Sequence, residues 1–501
     1  MTEDKDSHAP DSVQLAETTT QPSSVVPQVS TWSVWALFCL SVGVLALMTL
    51  QGAEWSVSNV LVVDGLTALM WVVVTFFSGI VHSYSRRYMA GDCGVNRFFG
   101  QILAFTLVVM ALTAADHVAL FAAAWLAMGL LMASLIGHDR DWRQARAAGA
   151  LAAKYFLTSS ALLSAGLVAL AWTTGTASIS GILAAIDGVP TTVTIAAVAA
   201  IFLAAIVQSA LFPFHNWLLS SMTAPTPASA LMHAGFVNAG GILLTRFAPL
   251  VSEHLVIMSV IVLVGAFSAL LGQATLLVQT NVKRELGSST IAQMGFMIMQ
   301  CGLGFFAAAI AHLILHGCYK AYLFLSSGAS VEHTVPKDAG HTHLGFPGVT
   351  VSLLTAVGGG ALFLLLTGKL SGLSVTLDSG IVLALVVVLT TLTAARDILR
   401  RTALSSSVRL VSVPLVVLTA ISAYAVAFNA VSRMLSDVPM TYAPTELTIA
   451  HYLVIAGFFG AYLTTELGWH RSSERLYVAL LNVSQPAAST VLTSKEEYND
   501  A

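Results

Sequence analysis

The chain has 501 residues, of which 56% are hydrophobic and only 9% charged, with a net charge of −3 and a mean hydropathy of +0.81. Ordinary soluble domains carry roughly one-quarter charged residues, so this balance excludes a water-soluble fold and points to an all-α polytopic membrane protein. It also leaves no basic stretch to serve as a nucleic-acid surface.

Residues 1–30 are rich in Ser, Thr, Pro, Gln and Asp and contain neither a basic start nor an apolar run. They are expected to form a flexible tail, with the first apolar run acting as an uncleaved anchor. Apolar runs then recur at about 31–50, 60–82, 98–114, 118–137, 150–172, 192–211, 225–248, 254–280, 288–304, 306–328, 345–368, 380–396, 410–431 and 445–466. Each is long enough to approach a bilayer crossing. The expected organisation is a tail over 1–30, a membrane domain of about 14 helices over 31–466, and a second tail over 467–501.

The basic residues alternate with these runs. With the N terminus inside, the inner connections hold Arg86, Arg87, Arg97, Arg140, Arg143, Arg146, Lys283, Arg284, Lys337, Arg396, Arg400, Arg401, Arg409, Arg471 and Arg475. The outer connections hold only Arg246, Lys369 and Arg433. Lys and Arg accumulate in cytoplasmic loops, so both termini are expected in the cytoplasm.

Some spans carry features that a membrane helix does not need. Pro213, Pro225 and Pro227 bracket residues 212–224, and proline removes a backbone donor, so a discontinuous helix is expected there, with an ordinary loop and an interfacial Trp217 as the alternative. Lys154 and Lys320 lie inside apolar segments, and His312, His316 and Lys320 recur at every fourth position. That spacing puts all three on one slowly drifting helical face over about 12 Å of rise. Ionisable groups in hydrocarbon usually mark ion or proton routes. Packing, helix–helix hydrogen bonding and snorkelling are the structural alternatives, the last applying best to Lys154. Asp64 stands where it could cap a helix or admit protons, and Asp116 and His117 stand in a short outer connection. The four cysteines, Cys39, Cys93, Cys301 and Cys318, lack the spacing of a metal site, and there is no nucleotide loop or haem or iron–sulfur motif. No cofactor and no autonomous catalysis are expected in this chain.

Several stretches resemble the antiporter-like proton-translocating subunits of complex I, of the NADH-quinone oxidoreductase chain 5 type, and their relatives in multisubunit cation/proton antiporters. They are VDGLTALM at 63–70, YSRRYM at 84–89, FPFHNWLLSSMTAPTPASALMHA at 212–234, NVKRELGSSTIAQMGFM at 281–297 and HLILHGCYKAYLFLSSG at 312–328. The resemblance implies two inverted five-helix repeats, each with a discontinuous helix. It also implies ion-translocating roles for Lys154, His233, His312, His316 and Lys320. Two family positions are altered: Leu126 stands in place of a membrane glutamate and Gln208 in place of a central lysine. Neither replacement can titrate. The late Ser-Lys-Asp element is missing after Pro347.

This pattern of loss resembles the DabB family of inorganic carbon accumulation systems. That resemblance implies a cation-driven membrane subunit, in a bacterial inner membrane, working with a large cytoplasmic DabA-like partner that holds zinc and resembles a carbonic anhydrase. Protons or another monovalent cation would be the coupling ion. The alternatives are a proton-pumping subunit of a respiratory or hydrogenase-like complex, a cation/proton antiporter subunit, and a scaffold that conducts nothing. Thiols introduced after Ser30 and after Arg475 should both react from the cytoplasmic face; reaction of either from the outer face would contradict the topology.

Overall fold

The computed structural model describes residues 25–491 except 53, 329–345, 368–369, 372–373, 376–377, 402–405 and 470–472. The expected tail over its first 24 residues, the last ten residues, and Lys337, Lys369 and Arg471 lie outside the described residues. Helices occupy all fourteen apolar stretches. Eleven of them are long and apolar enough to cross a membrane, so the chain is a multi-pass integral membrane protein.

In chain order, the helices begin with α1 (Val26–Gln51), α2 (Gly65–Tyr88), α3 (Val95–Ala114), α4 (Val118–Ile136) and α5 (Arg143–Thr174). A short α6 (Ile179–Ala184) precedes α7 (Thr191–Gln208), α8 (Asn216–Ser220), α9 (Thr226–Ala234) and α10 (Ala239–Arg246). After α11 (Ala248–Ser252) come α12 (Leu255–Leu276), α13 (Val282–Gly302) and α14 (Phe306–Leu325). The last helices are α15 (Phe346–Leu366), α16 (Gly380–Arg401), α17 (Ser406–Met434), α18 (Ile449–Glu466) and α19 (Glu474–Val483). Two small antiparallel hairpins, pairing Trp55–Val57 with Leu61–Val63 and Leu370–Ser371 with Ser374–Val375, and short 3-10 turns accompany the helices.

Capping explains several boundaries that hydropathy alone misplaces. Pro27 lies in the first turn of α1, where its missing N–H is harmless, and the helix begins before the expected residue 31. Asn281 Oδ1 accepts from Lys283 N (3.0 Å) and Arg284 N (3.3 Å), so α13 starts six residues before the apolar run. Its first turn therefore contains Lys283, Arg284 and Glu285, and α13 is not among the eleven apolar crossings. The apolar part of α16, Gly380–Arg396, is likewise too short for that group.

The interruption expected between Pro213 and Pro225 is present. Helix α7 stops at Gln208, the chain runs irregularly through 209–215, and α8 and a 3-10 turn at Ser221–Thr223 resume it. Side chains take up the released backbone groups. Trp217 Nε1 donates to the Val207 carbonyl at 2.9 Å, and Lys283 Nζ donates to the Ala224 carbonyl at 3.2 Å. Phe212 N donates to Ser268 Oγ at 3.3 Å. Trp217 is fully buried, so it stitches the break instead of marking an interface. A second interruption, absent from the sequence expectation, falls at Gly235 between α9 and α10. There α14 passes so closely that a Cβ on Gly317 would stand 2.9 Å from the Ala234 carbonyl.

Residues 467–501 do not form a simple tail throughout. Helix α19 and the turn after it lie under the interruption, with His215 Nε2 3.0 Å from the Val483 carbonyl and Ala487 N donating to Ser220 Oγ at 3.1 Å.

Two large apolar cores result, with a small third cluster of Ala395, Leu399, Val413 and Val417 between α16 and α17. The larger joins α2–α5, α7, α9, α10 and faces of α13 and α14; the second joins α12, α13 and α14 to residues of α15, α16 and α18. Helices α13 and α14 therefore stand between them. At the end opposite the basic loops, an ion pair ties α2 to α10. The Asp64 carboxylate caps α2 by accepting from Thr67 N (2.8 Å) and pairs with Arg246, which also donates to the Thr113 carbonyl at 2.7 Å. Burial alone would raise the Asp64 carboxyl, but the Arg246 charge and the Thr67 N–H outweigh it and hold it below the ordinary carboxylate range. A group with a depressed folded pKa contributes stability above its unfolded pKa and loses it as pH falls through the folded value. Asp64→Asn should therefore cost about 3 kcal/mol in detergent at neutral pH. The deficit should shrink as acid protonates the wild-type carboxylate; a deficit equal at all pH values would contradict this assignment.

Candidate ion-conduction site

Helix α14 has one polar stripe on an otherwise apolar cylinder. His312, His316 and Lys320 are buried, Lys320 completely. The two imidazoles lie nearly parallel with ring centroids 5.9 Å apart. That is too far for a direct hydrogen bond, but one water could bridge it.

The stripe acquires its partners from α13 and α9. Lys320 Nζ donates to the Leu286 carbonyl at 2.9 Å and also to Ser289 Oγ. The same Leu286 carbonyl accepts from Thr290 Oγ1 at 2.8 Å, and Thr290 Oγ1 lies 2.9 Å from His233 Nδ1. Because the threonine proton is engaged by Leu286, the histidine supplies the proton of the second bond. His233 is thereby assigned the Nδ1–H tautomer, leaving Nε2 as an acceptor. A continuous chain runs Lys320, Leu286 carbonyl, Thr290, His233. The His233 ring stacks on Phe324 at 4.3 Å, which fixes its plane.

The Nε2 atoms of His233, His312 and His316 are all buried without a hydrogen-bond partner in the protein. Three orphaned acceptors or donors in one region are costly unless water reaches them. Glu285, in the first turn of α13, contributes the carboxylate charge felt at Lys320. The arrangement can therefore hold a charge, bind waters between imidazoles, and pass a proton along them.

The other sequence candidates do not join this group. Lys154 is exposed on α5, which agrees with the snorkelling alternative. Gln208 is completely buried at the end of α7, and neither end of its amide finds a partner. Asp64 serves as cap and ion-pair partner. Asp116 accepts from Ser178 Oγ (2.5 Å), Ser180 N (2.8 Å) and Ser180 Oγ (2.8 Å), and His117 Nδ1 accepts from Ala119 N at 3.2 Å. These three are helix-end fasteners.

Ser289, Thr290 and Glu285 were not singled out from the sequence, although SST at 288–290 in the least apolar of the long central helices was a usable signal. Among the described residues, no three His, Cys, Asp or Glu side chains come together as a metal site.

Family models match two parts of the chain. Residues 50–99 match the N-terminal part of NADH-ubiquinone oxidoreductase (complex I) chain 5, and residues 115–345 match the transmembrane NADH:quinone oxidoreductase/Mrp antiporter domain. Over these stretches the chain is similar to antiporter-like membrane subunits. Its curated relatives include proteins named probable inorganic carbon transporter subunit DabB. The DabB1 protein of Halothiobacillus neapolitanus is 39% identical over 57% of this chain and 53% of its own length. The DabB protein of Bacillus subtilis is 39% identical over 54% of this chain and 53% of its own length. The NAD(P)H-quinone oxidoreductase chain 5 of Synechocystis is 36% identical over 56% of this chain and 42% of its own length. The chain thus spans about half the length of the DabB relatives it matches. In fold, it superposes on the Mrp complex of Dietzia sp. with a TM-score of 0.56 and 22% identity, covering 92% of this chain and 50% of that one. An archaeal membrane-bound sulfane sulfur reductase gives 0.57 and 16% identity, covering 94% of each chain.

Thr290→Val keeps side-chain volume but leaves the His233 N–H unpaired. It should lower stability by about 1–3 kcal/mol, read as a lower melting temperature in detergent; an unchanged melting temperature would show that the hydrogen bond contributes nothing.

Proposed function

We propose that the chain is the cation-translocating membrane subunit of an inorganic carbon accumulation system, with protons as the coupling ion. The observation that carries this reading is the hydrogen-bonded chain from Lys320 through Leu286 and Thr290 to His233, beside the buried His312 and His316, whose Nε2 atoms have no partner in the protein. In the same molecule, Leu126 and Gln208 remove two titratable groups from the first half. Flow is therefore assigned to the α13–α14 stripe.

Lys320 would alternate between an ammonium held by Leu286 and Ser289 and a neutral amine. The histidines would deliver or remove its proton through intervening water, because an imidazole can take a proton on one nitrogen and release it from the other. Charge movement at the stripe would then bias a partner at the basic face.

That partner would be a large cytoplasmic zinc-containing, DabA-like subunit that hydrates CO2, and the zinc would belong to it. The reading includes fourteen crossings, two inverted five-helix repeats, both termini cytoplasmic, and a bacterial inner membrane as the site of action. Identity to chain 5 proteins supports a second reading, a proton-pumping subunit of a respiratory complex.

Lys320→Met and His316→Ala should each reduce inorganic carbon uptake by roughly a hundredfold at unchanged abundance and partner assembly. If both variants assemble and retain uptake that is abolished by dissipating the proton gradient, the relay is wrong. Affinity purification should recover zinc in a large partner; flavin or iron–sulfur clusters instead would favour the respiratory reading.

A further inference from the structure

The stripe on α14 does not end at His312. Ala308 lies one turn closer to the end opposite the basic loops and, by the same spacing of four, continues the face of His312, His316 and Lys320. Ala308 lines a cavity of about 240 Å3, together with Asn429, Ser432, Thr441 and Thr367. This volume holds several waters, and its lining offers the Asn429 amide and the hydroxyls of Thr367, Ser432, Thr441 and Tyr442 beside apolar side chains.

Helix α13 supplies the link. Phe296 meets the His312 ring at 5.4 Å, and Gln300 follows Phe296 by one turn, about 6 Å nearer the cavity end. Gln300 is completely buried; its Nε2 donates to the Tyr424 hydroxyl at 3.3 Å, while its Oε1 has no partner in the protein. Tyr424 lies on α17, one turn before Phe428 and Asn429, which line the cavity. A buried orphan acceptor is costly unless water satisfies it. By sequence, the loops of this end also carry the carboxylates of Asp378, Asp437 and Glu446 against the two cations Lys369 and Arg433, outside the Asp64–Arg246 pair.

We propose that the conduction path runs from His312 past the Gln300–Tyr424 pair into this cavity, which is its mouth for a hydrated monovalent cation or proton on the face opposite the basic loops. The inference rests on the conduction reading above. Gln300 and Tyr424 hold the connecting water: Oε1 accepts from it, and the Tyr424 hydroxyl passes its proton onward as it receives another. Sodium would use the same oxygen atoms as ligands.

Accessibility tests the mouth without relying on activity. In sealed membranes containing the assembled protein with its four native cysteines replaced by alanine, a charged impermeant thiol reagent should modify Asn429→Cys, Ser432→Cys and Thr441→Cys. It should do so only from the side opposite to that labelling Arg284→Cys. Absence of labelling, or labelling from the basic side, would overturn the mouth. Gln300→Leu and Tyr424→Phe, at normal abundance, should then slow cation-driven uptake by about tenfold, with labelling of the cavity cysteines retained. If both variants transport normally while Lys320→Met does not, this route is wrong and the proposed function stands. If Lys320→Met also transports normally, both fall.

Discussion

An ammonium group in the middle of a membrane protein must be held by oxygen atoms, and Lys320 obtains them from the first turns of α13. Its Nζ is held by the Leu286 carbonyl and the Ser289 hydroxyl. A helical carbonyl normally accepts one intrahelical bond, but this one also receives Lys320 and the Thr290 hydroxyl. Much of the rest follows from bringing α13 and α14 into that contact. Helix α13 must carry polar residues deep into the protein, which makes it too polar for the group of apolar crossings. Helix α12 compensates by packing against it at glycine: a Cβ on Gly295 would stand 2.7 Å from the Gly265 carbonyl.

The same contact links the polar stripe to the interrupted segment. Lys283, two residues after the Asn281 cap, turns back to the Ala224 carbonyl released at the break, while Thr290 reaches His233 on the helix that follows it. One helix thus stabilises the discontinuity through its start and the histidine through its middle. Without the interruption, α9 would not present His233 toward α13. The break at Gly235 then allows α10 to continue to Arg246, whose pairing with Asp64 closes the opposite end. A local exception to helix geometry therefore places both a titratable group and a structural ion pair.

Hydropathy made the positions of the helices legible because a bilayer crossing needs a long apolar run. It misplaced ends set by polar caps, as at Asn281, and did not foresee α19 because an amphipathic surface helix carries no such run. The stripe His312, His316, Lys320 was legible because buried ionisable groups are rare and their spacing of four survives in sequence. Its partners were harder to read, since Leu286 acts through a backbone carbonyl and Ser289 and Thr290 are marked only by their clustering in an unusually polar helix. Lys154 illustrates the opposite case: it stands out in a sequence, but the fold leaves it on the exposed side of α5. Asp116 and His117 stood out as polar residues in a short outer connection, and the fold uses the Asp116 carboxylate to hold Ser178 and Ser180 at the start of α6 and His117 Nδ1 to cap α4.

On the proposed reading, with Leu126 and Gln208 at positions where the resembled family carries titratable groups, coupling of an ion gradient to work rests on the polar stripe of α14. The most direct measurement is made in sealed vesicles containing the chain and its copurified partner, with labelled inorganic carbon outside. An imposed proton gradient should drive internal carbon above its equilibrium level, and a protonophore should abolish that excess. Equal accumulation with and without the gradient would contradict the account.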